Sequence, residues 1–138
     1  MKATAKPGLK KTRRVLVDDT RVTLHMGEGL GLYATPLMLR DMEHLSRDLL
    51  QEHLDAGEDS VGTHAEIRHL AATPQGMWVD LSVTISAIDR RAVTFDLVAR
   101  DAFDEIGRCT HTRFVVETAK TKERLQAKIA KARAAGNL

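Results

Sequence analysis

Cysteine occurs once in the 138 residues, as Cys109, so no internal disulfide can form and the chain fits a reducing compartment. No cysteine or histidine cluster has the spacing of a zinc site, and neither a metal nor a cofactor is expected. Aromatic residues make up only 4% of the chain, and no recognised nucleic-acid motif accompanies them, which argues against nucleic acid as a partner. No apolar run approaches the roughly 18 residues needed to cross a bilayer, and no secretory leader is visible. A cytoplasmic protein with no membrane partner is the expectation. Lysine is absent from the whole interior: all eight lie within residues 1–11 and 120–131.

That absence makes the charge uneven. Residues 1–14 hold six bases and no acid, and residues 120–138 hold six bases and one acid. With a net charge of +2, the body from Val15 to Ala119 is left at −9. Solvated, solubilising ends are one reading; basic arms beside a polyanionic ligand are the other. The length suits one domain with an ordinary core. Three segments are expected: a basic disordered arm over 1–11, a domain over 12–119, and a basic C-terminal helix and tail over 120–138.

The most periodic stretch runs from Tyr33 to Leu54. Thr35 is placed to cap the free N–H groups of a helix, and Pro36 loses nothing at the next position by lacking its own. Met38, Met42, Leu45 and Leu49 follow at 3–4 spacing, widened by Leu37, Leu50 and Leu54, while Arg40, Asp41, Arg47, Asp48 and Glu52 fall elsewhere on the wheel. Gly57 is the expected stop.

Before this helix, Thr12–Val17 and Arg21–His25 read as short strands, followed by the glycine-spaced segment 27–31. After it the period falls to two. In 62–70, Thr63, Ala65, Ile67 and His69 share the less polar face. In 77–88 the inward set is Met77, Val79, Leu81, Val83, Ile85 and Ala87; in the next strand it is Val93, Phe95, Leu97 and Ala99. Residues 107–118 are strand-like with two mixed faces, and 119–134 form a basic helix with Leu125 and Ile129 as a thin seam. Strand, long helix and four strands joined by tight turns make an α+β two-layer domain: a hotdog fold, an antiparallel sheet wrapped around one long central helix, plus a C-terminal helix. One helix covers one sheet face, and exposed edges need protection, so a homodimer is expected.

Individually the polar candidates are ambiguous. His69 at a strand end reads as a structural histidine, Glu43 as a surface ion pair with Arg40 or Arg47, and Thr35 as a cap. His25, His44, His53 and His64 lack a partner at motif spacing. Five pieces in order change this: Ala34-Thr35-Pro36 with Glu43 eight residues after Thr35; Gly62-Thr63 with His69 seven after the glycine; Ala71-Ala72-Thr73-Pro74; Asp104-Glu105-Ile106-Gly107; and Thr110-His111-Thr112-Arg113. Together they resemble the hotdog-fold thioesterases related to fluoroacetyl-CoA thioesterase, over about Thr12 to Glu123.

The resemblance implies an acyl-CoA thioesterase with Thr35, Glu43 and His69 as catalytic residues at a dimer interface. It places the acyl-proximal glycine at Gly62 and the arginine of the last strand at Arg113. Tyr33 and Leu32, just ahead of the helix, are expected to touch the acyl group. Where the fluoroacetyl-CoA enzymes carry a longer phenylalanine-bearing lid, this chain has the glycine-rich stretch up to Leu32, and Cys109 stands where relatives often have a small glycine-like residue. The competing readings are a non-catalytic acyl-CoA binding module and a hotdog enoyl-CoA hydratase or dehydratase.

Overall fold

The computed structural model describes residues 1–138. Five strands form an antiparallel sheet in the order β1-β5-β6-β7-β4: β1 (Lys10–Leu16), β5 (Trp78–Asp89), β6 (Ala92–Arg100), β7 (Glu105–Glu117) and β4 (Glu58–His69). A 3₁₀ turn (Asp19–Arg21) and a small ribbon of β2 (Val22–Thr23) and β3 (Leu32–Tyr33) lead into the central helix α1 (Thr35–Gln51). A second helix, α2 (Thr118–Ala134), continues directly from β7. This is the hotdog arrangement, with α1 laid on one face of the curved sheet.

The apolar stripe explains why α1 sits there. Met38, Met42, Leu45, Leu49 and Leu50 are buried against Val79, Leu81, Val83, Ile85, Val93, Phe95 and Leu97. The helix begins one residue earlier than expected, with Ala34 at the cap position and no side chain capping it. Thr35 is therefore the first helical residue, and its hydroxyl is free for another partner. The helix also ends at Gln51 rather than running to Gly57, because the backbone turns early to bury Leu54. Gly57, at φ +82, serves the turn into β4 instead.

Three register shifts interrupt the strict alternation, one of them between Ala99 and Arg100 where β6 meets β7. In β4 the register slips between Gly62 and His64, so Thr63 leaves the inner face and donates to the Thr112 carbonyl at 3.2 Å. Beyond the bulge, Ala65, Ile67 and His69 return to the helix side, opposite His111, Cys109 and Gly107. A slip between Ile85 and Ala87 likewise turns Ala87 outward. An extra residue reverses the facing of all that follows.

The first eleven residues, expected as a disordered arm, are attached. The Met1 ammonium pairs with Asp55 at 2.9 Å and with Glu58, the Lys2 N–H donates to the His53 carbonyl at 2.8 Å, and Lys10 and Lys11 belong to β1. Their partners lie 40 to 80 residues away, beyond what local composition reveals. By contrast α2 buries none of its residues, and Leu125 of the expected seam stands exposed. No helix is long and apolar enough to cross a membrane.

Candidate active site

Two polar groups of residues lie on the helix side of the sheet. The first joins the start of α1 to the end of β4. Freed from capping, Thr35 Oγ1 lies 2.7 Å from His69 Nδ1. The other ring nitrogen, Nε2, is buried and has no hydrogen-bond partner. An unpartnered buried nitrogen is costly, and such groups point to function. The pair lines a cleft of about 670 Å³ whose remaining wall includes Thr23, Leu32, Tyr33, Pro36, Leu70 and Ala71. This cleft is mostly apolar, with the imidazole and hydroxyl set into its wall.

The Ala71-Ala72-Thr73-Pro74 segment shapes the cleft. Thr73 is buried, accepts the Tyr33 N–H at 2.9 Å through its carbonyl and donates its hydroxyl to Asp101 at 2.9 Å. Leu32 and Leu70–Ala72 thereby face each other across the opening. Tyr33, expected to touch the acyl group, forms part of the cleft wall. It is 1% exposed and donates to Asp41 Oδ2 at 2.6 Å, an acid expected at the surface but buried here. Arg21 completes the anchor through Asp41 at 2.8 Å. Burial and the neighbouring carboxylate hold the Tyr33 phenol far above the usual tyrosine range.

The second group lies further along both elements. Glu43 makes neither expected ion pair: Arg40 approaches Asp41 at 3.5 Å and Arg47 binds Asp59 at 2.6 Å. Its carboxylate stays 38% exposed, and Oε1 lies 3.9 Å from His111 Nδ1. His111 is fully buried, with Nδ1 donating to the His64 carbonyl at 2.7 Å and Nε2 3.2 Å from the Arg113 guanidinium. That bond fixes the proton on Nδ1 and leaves Nε2 to accept from Arg113. Burial pushes the His111 pKa down, so the ring is held neutral. Arg113 is tied to Ser60 by its hydroxyl at 2.7 Å and its carbonyl at 2.8 Å. Burial lowers the Arg113 pKa, partly offset by Glu43.

Gly62 belongs to this second group. A Cβ there would stand 3.2 Å from His111 Cε1, 3.5 Å from Glu43 Oε1 and 3.6 Å from Arg113 Nη1. A side chain there would crowd the His111 ring, while the carboxylate and the guanidinium lie at ordinary contact distance. Cys109, also facing the helix, is buried, and burial pushes its thiol up to about 11, which makes it a poor nucleophile.

One chain therefore brings Thr35 to His69, and Glu43 to Gly62 and Arg113, but does not join the two groups. Eight helical residues separate Thr35 from Glu43, about 12 Å along the axis. Seven strand residues separate Gly62 from His69, on the order of 20 Å. Sequence reasoning missed His111 as part of the site, although it alternates with Cys109 and Arg113 on one face of β7. The buried polar residues on that face concealed the period. His25 is exposed, as expected, and also lines the cleft.

Comparison with known proteins gives concordant results. The family described as fluoroacetyl-CoA-specific thioesterase matches residues 17–119. A fluoroacetyl-CoA thioesterase from Streptantibioticus cattleyicolor is 32% identical over 97 residues, which are 70% of each chain. A crystal structure of a fluoroacetyl-CoA-specific thioesterase variant in complex with fluoroacetate and CoA aligns with TM-score 0.78 at 28% identity, covering 85% of this chain and 99% of that one. A thioesterase superfamily member from Thermus thermophilus aligns with TM-score 0.86 over 94% of this chain and 96% of that one; at 23% identity it supports the fold alone.

Proposed function

The chain belongs to the fluoroacetyl-CoA-specific thioesterase family, and from that premise we propose that it hydrolyses acyl-CoA at a site assembled from two copies. In this reading Thr35 and His69 come from one copy, and Glu43, Gly62 and Arg113 from the other. The observation that carries it is the Thr35–His69 contact at 2.7 Å on the wall of an apolar cleft. The separation of Glu43 from that pair supports the second copy.

The edge of the sheet supplies a route to it. β4 is an edge strand twelve residues long, with no partner on its outer side and Val61–Glu66 exposed. A long free edge invites pairing with an identical edge. Antiparallel pairing about the middle of β4 sets the His69 end of one copy beside the Ser60–Gly62 end of the other. Each cleft then gains a carboxylate, a close-approaching backbone and a buried cation.

The acyl group lies in the cleft with its carbonyl near His69 and Glu43. Water, deprotonated by one of them, adds to the carbonyl carbon; the C–S bond then breaks and the departing thiolate takes a proton to leave as CoA thiol. Alternatively Glu43 attacks first, giving a mixed anhydride that water opens. Thr35 orients His69, and N–H groups at the start of α1 or at Gly62 stabilise the oxyanion. Thiol release across short, branched, aromatic and long acyl-CoAs tests the activity, and product analysis separates hydrolysis from addition of water to an enoyl group. Absence of turnover across the panel overturns the reading.

A further inference from the structure

We propose that the basic stripe of α2 binds the phosphates of the CoA moiety held in the opposite copy's cleft. This rests on the two-copy reading above and adds a ligand site to it. Lys120, Arg124, Lys128 and Lys131 recur at four-, four- and three-residue steps, which places them on one side of the helix. They span about 17 Å at helical rise. Only Lys120 has an acid partner, Glu117 at 3.1 Å, so the other three charges are uncompensated. A 17-residue helix that buries nothing owes its place to something other than its own chain's core.

The topology decides which cleft the stripe serves. Within one chain α2 starts where β7 ends, and Thr118 N–H donates to the Gly57 carbonyl beside the start of β4. Glu58 pairs with Glu117, whereas His69 pairs with Gly107 at the other end of the same two strands. The helix therefore begins nearly the full length of β4 away from its own Thr35–His69 pair. Antiparallel pairing of two β4 edges reverses this. The Glu58 end of one copy comes beside His69 of the other, and the first residue of α2 stands roughly 10 Å away, two strand spacings across the sheet.

The ligand's chemistry matches the placement. In CoA the thiol is joined to a diphosphate and a 3′-phosphate by a long pantetheine arm, so the anionic end must lie well outside an apolar cleft that holds the acyl group. The body between the basic ends carries −9, which repels that end. Cations on an extended helix at the cleft mouth are the complementary surface.

The test is CoA binding by calorimetry to the full-length protein and to a variant with Lys120, Arg124, Lys128 and Lys131 all changed to Gln. Gln retains helix propensity. The variant is expected to bind CoA at least tenfold more weakly, and pantetheine, which lacks the phosphates, equally well. Equal CoA affinity overturns the proposal. Should the variant fail to fold, the wild-type protein decides: CoA affinity falling steeply with salt while pantetheine affinity holds supports the proposal, and parallel behaviour overturns it. The source of the stripe is read from heterodimers that pair a His69→Ala protomer carrying native α2 with a protomer carrying the four glutamines and a native cleft. The KM for butyryl-CoA should be that of the wild type; a KM equal to that of the four-glutamine homodimer overturns the cross-subunit assignment. Binding requires no turnover, so failure of the hydrolytic reading and failure of this one are distinguishable.

Discussion

Thr35 Oγ1 and His69 Nδ1 stand 2.7 Å apart although 34 residues separate them in sequence, and the contact exists because α1 is capped at Ala34 and not at Thr35. A threonine one position earlier would spend its hydroxyl on the helix. Here it orients an imidazole whose other nitrogen is buried and unpartnered.

Replacing these groups should separate their roles. Glu43→Ala and His69→Ala are each expected to lower kcat by at least about 10²-fold without unfolding the protein, and Thr35→Ala to cost less than either. Gly62→Ala should also reduce activity, since its methyl would crowd the His111 ring that stands beside Glu43. Steady-state kinetics on the best acyl-CoA of the panel provide the check; near-native turnover of the Glu43 or His69 variant would remove that residue from the mechanism.

The proposed two-copy site predicts complementation. Mixing inactive Glu43→Ala and His69→Ala proteins, after dissociation and reassociation, should restore activity, because a heterodimer contains one cleft with native His69 facing native Glu43. Half of a random mixture is heterodimer with one working site in two, so recovery approaches about a quarter of wild type. No recovery, with heterodimers verified by mass, would place both groups in one copy's site.

Stability should fall with acid in two windows. The folded state holds His111 neutral, below its ordinary value of about 6.5, amid Glu43, Arg113 and the His64 carbonyl. The unfolded chain therefore binds the extra proton first. The contribution is complete above about pH 6.5 and declines as pH falls through it, by at most about 1.4 kcal/mol per unit. Asp59, whose pKa is lowered chiefly by Arg47, acts only below about pH 4. Urea unfolding of wild type and His111→Gln between pH 7.5 and 5 should show the upper window flattened in the variant.

Removing the Tyr33 hydroxyl tests the anchor behind the cleft. Tyr33→Phe leaves buried Asp41 without one of its donors, a loss of about 1–3 kcal/mol. Urea titration should register it, and an unchanged midpoint would show that Arg21 alone satisfies the carboxylate.

Selectivity should be loose at the acyl carbon. The approach to the cleft exposes Leu24, Met26 and Leu30 and supplies no phenylalanine, while Tyr33 is held in the wall by Asp41. A small substituent in an open apolar pocket is worth only about 1–3 kcal/mol. Fluoroacetyl-CoA should accordingly be poorly distinguished from acetyl-CoA, and butyryl- or phenylacetyl-CoA should show higher kcat/KM. A preference for fluoroacetyl-CoA above about a thousandfold, roughly 4 kcal/mol, would overturn this account.

The sequence by itself determined the layers and their order. The stripe of Met38, Met42, Leu45 and Leu49 could be buried only by a helix, and Val79 to Ile85 only by a strand, since each period matches one backbone geometry. It also presented Thr35, Glu43 and His69 at family spacing. Tertiary structure decided the rest, because it depended on partners remote in sequence. The Gly62–His64 bulge restored His69 to the inner face after Thr63 had left it. Arg21 and Tyr33 drew Asp41 inside against the polarity of its side chain. Ser60, His111 and Arg113 satisfied one another in a buried network whose members no apolar period could reveal. The distance between Glu43 and the Thr35–His69 pair follows from the rise of a helix and a strand, and the free edge of β4 from the strand order, neither of which a local residue pattern contains.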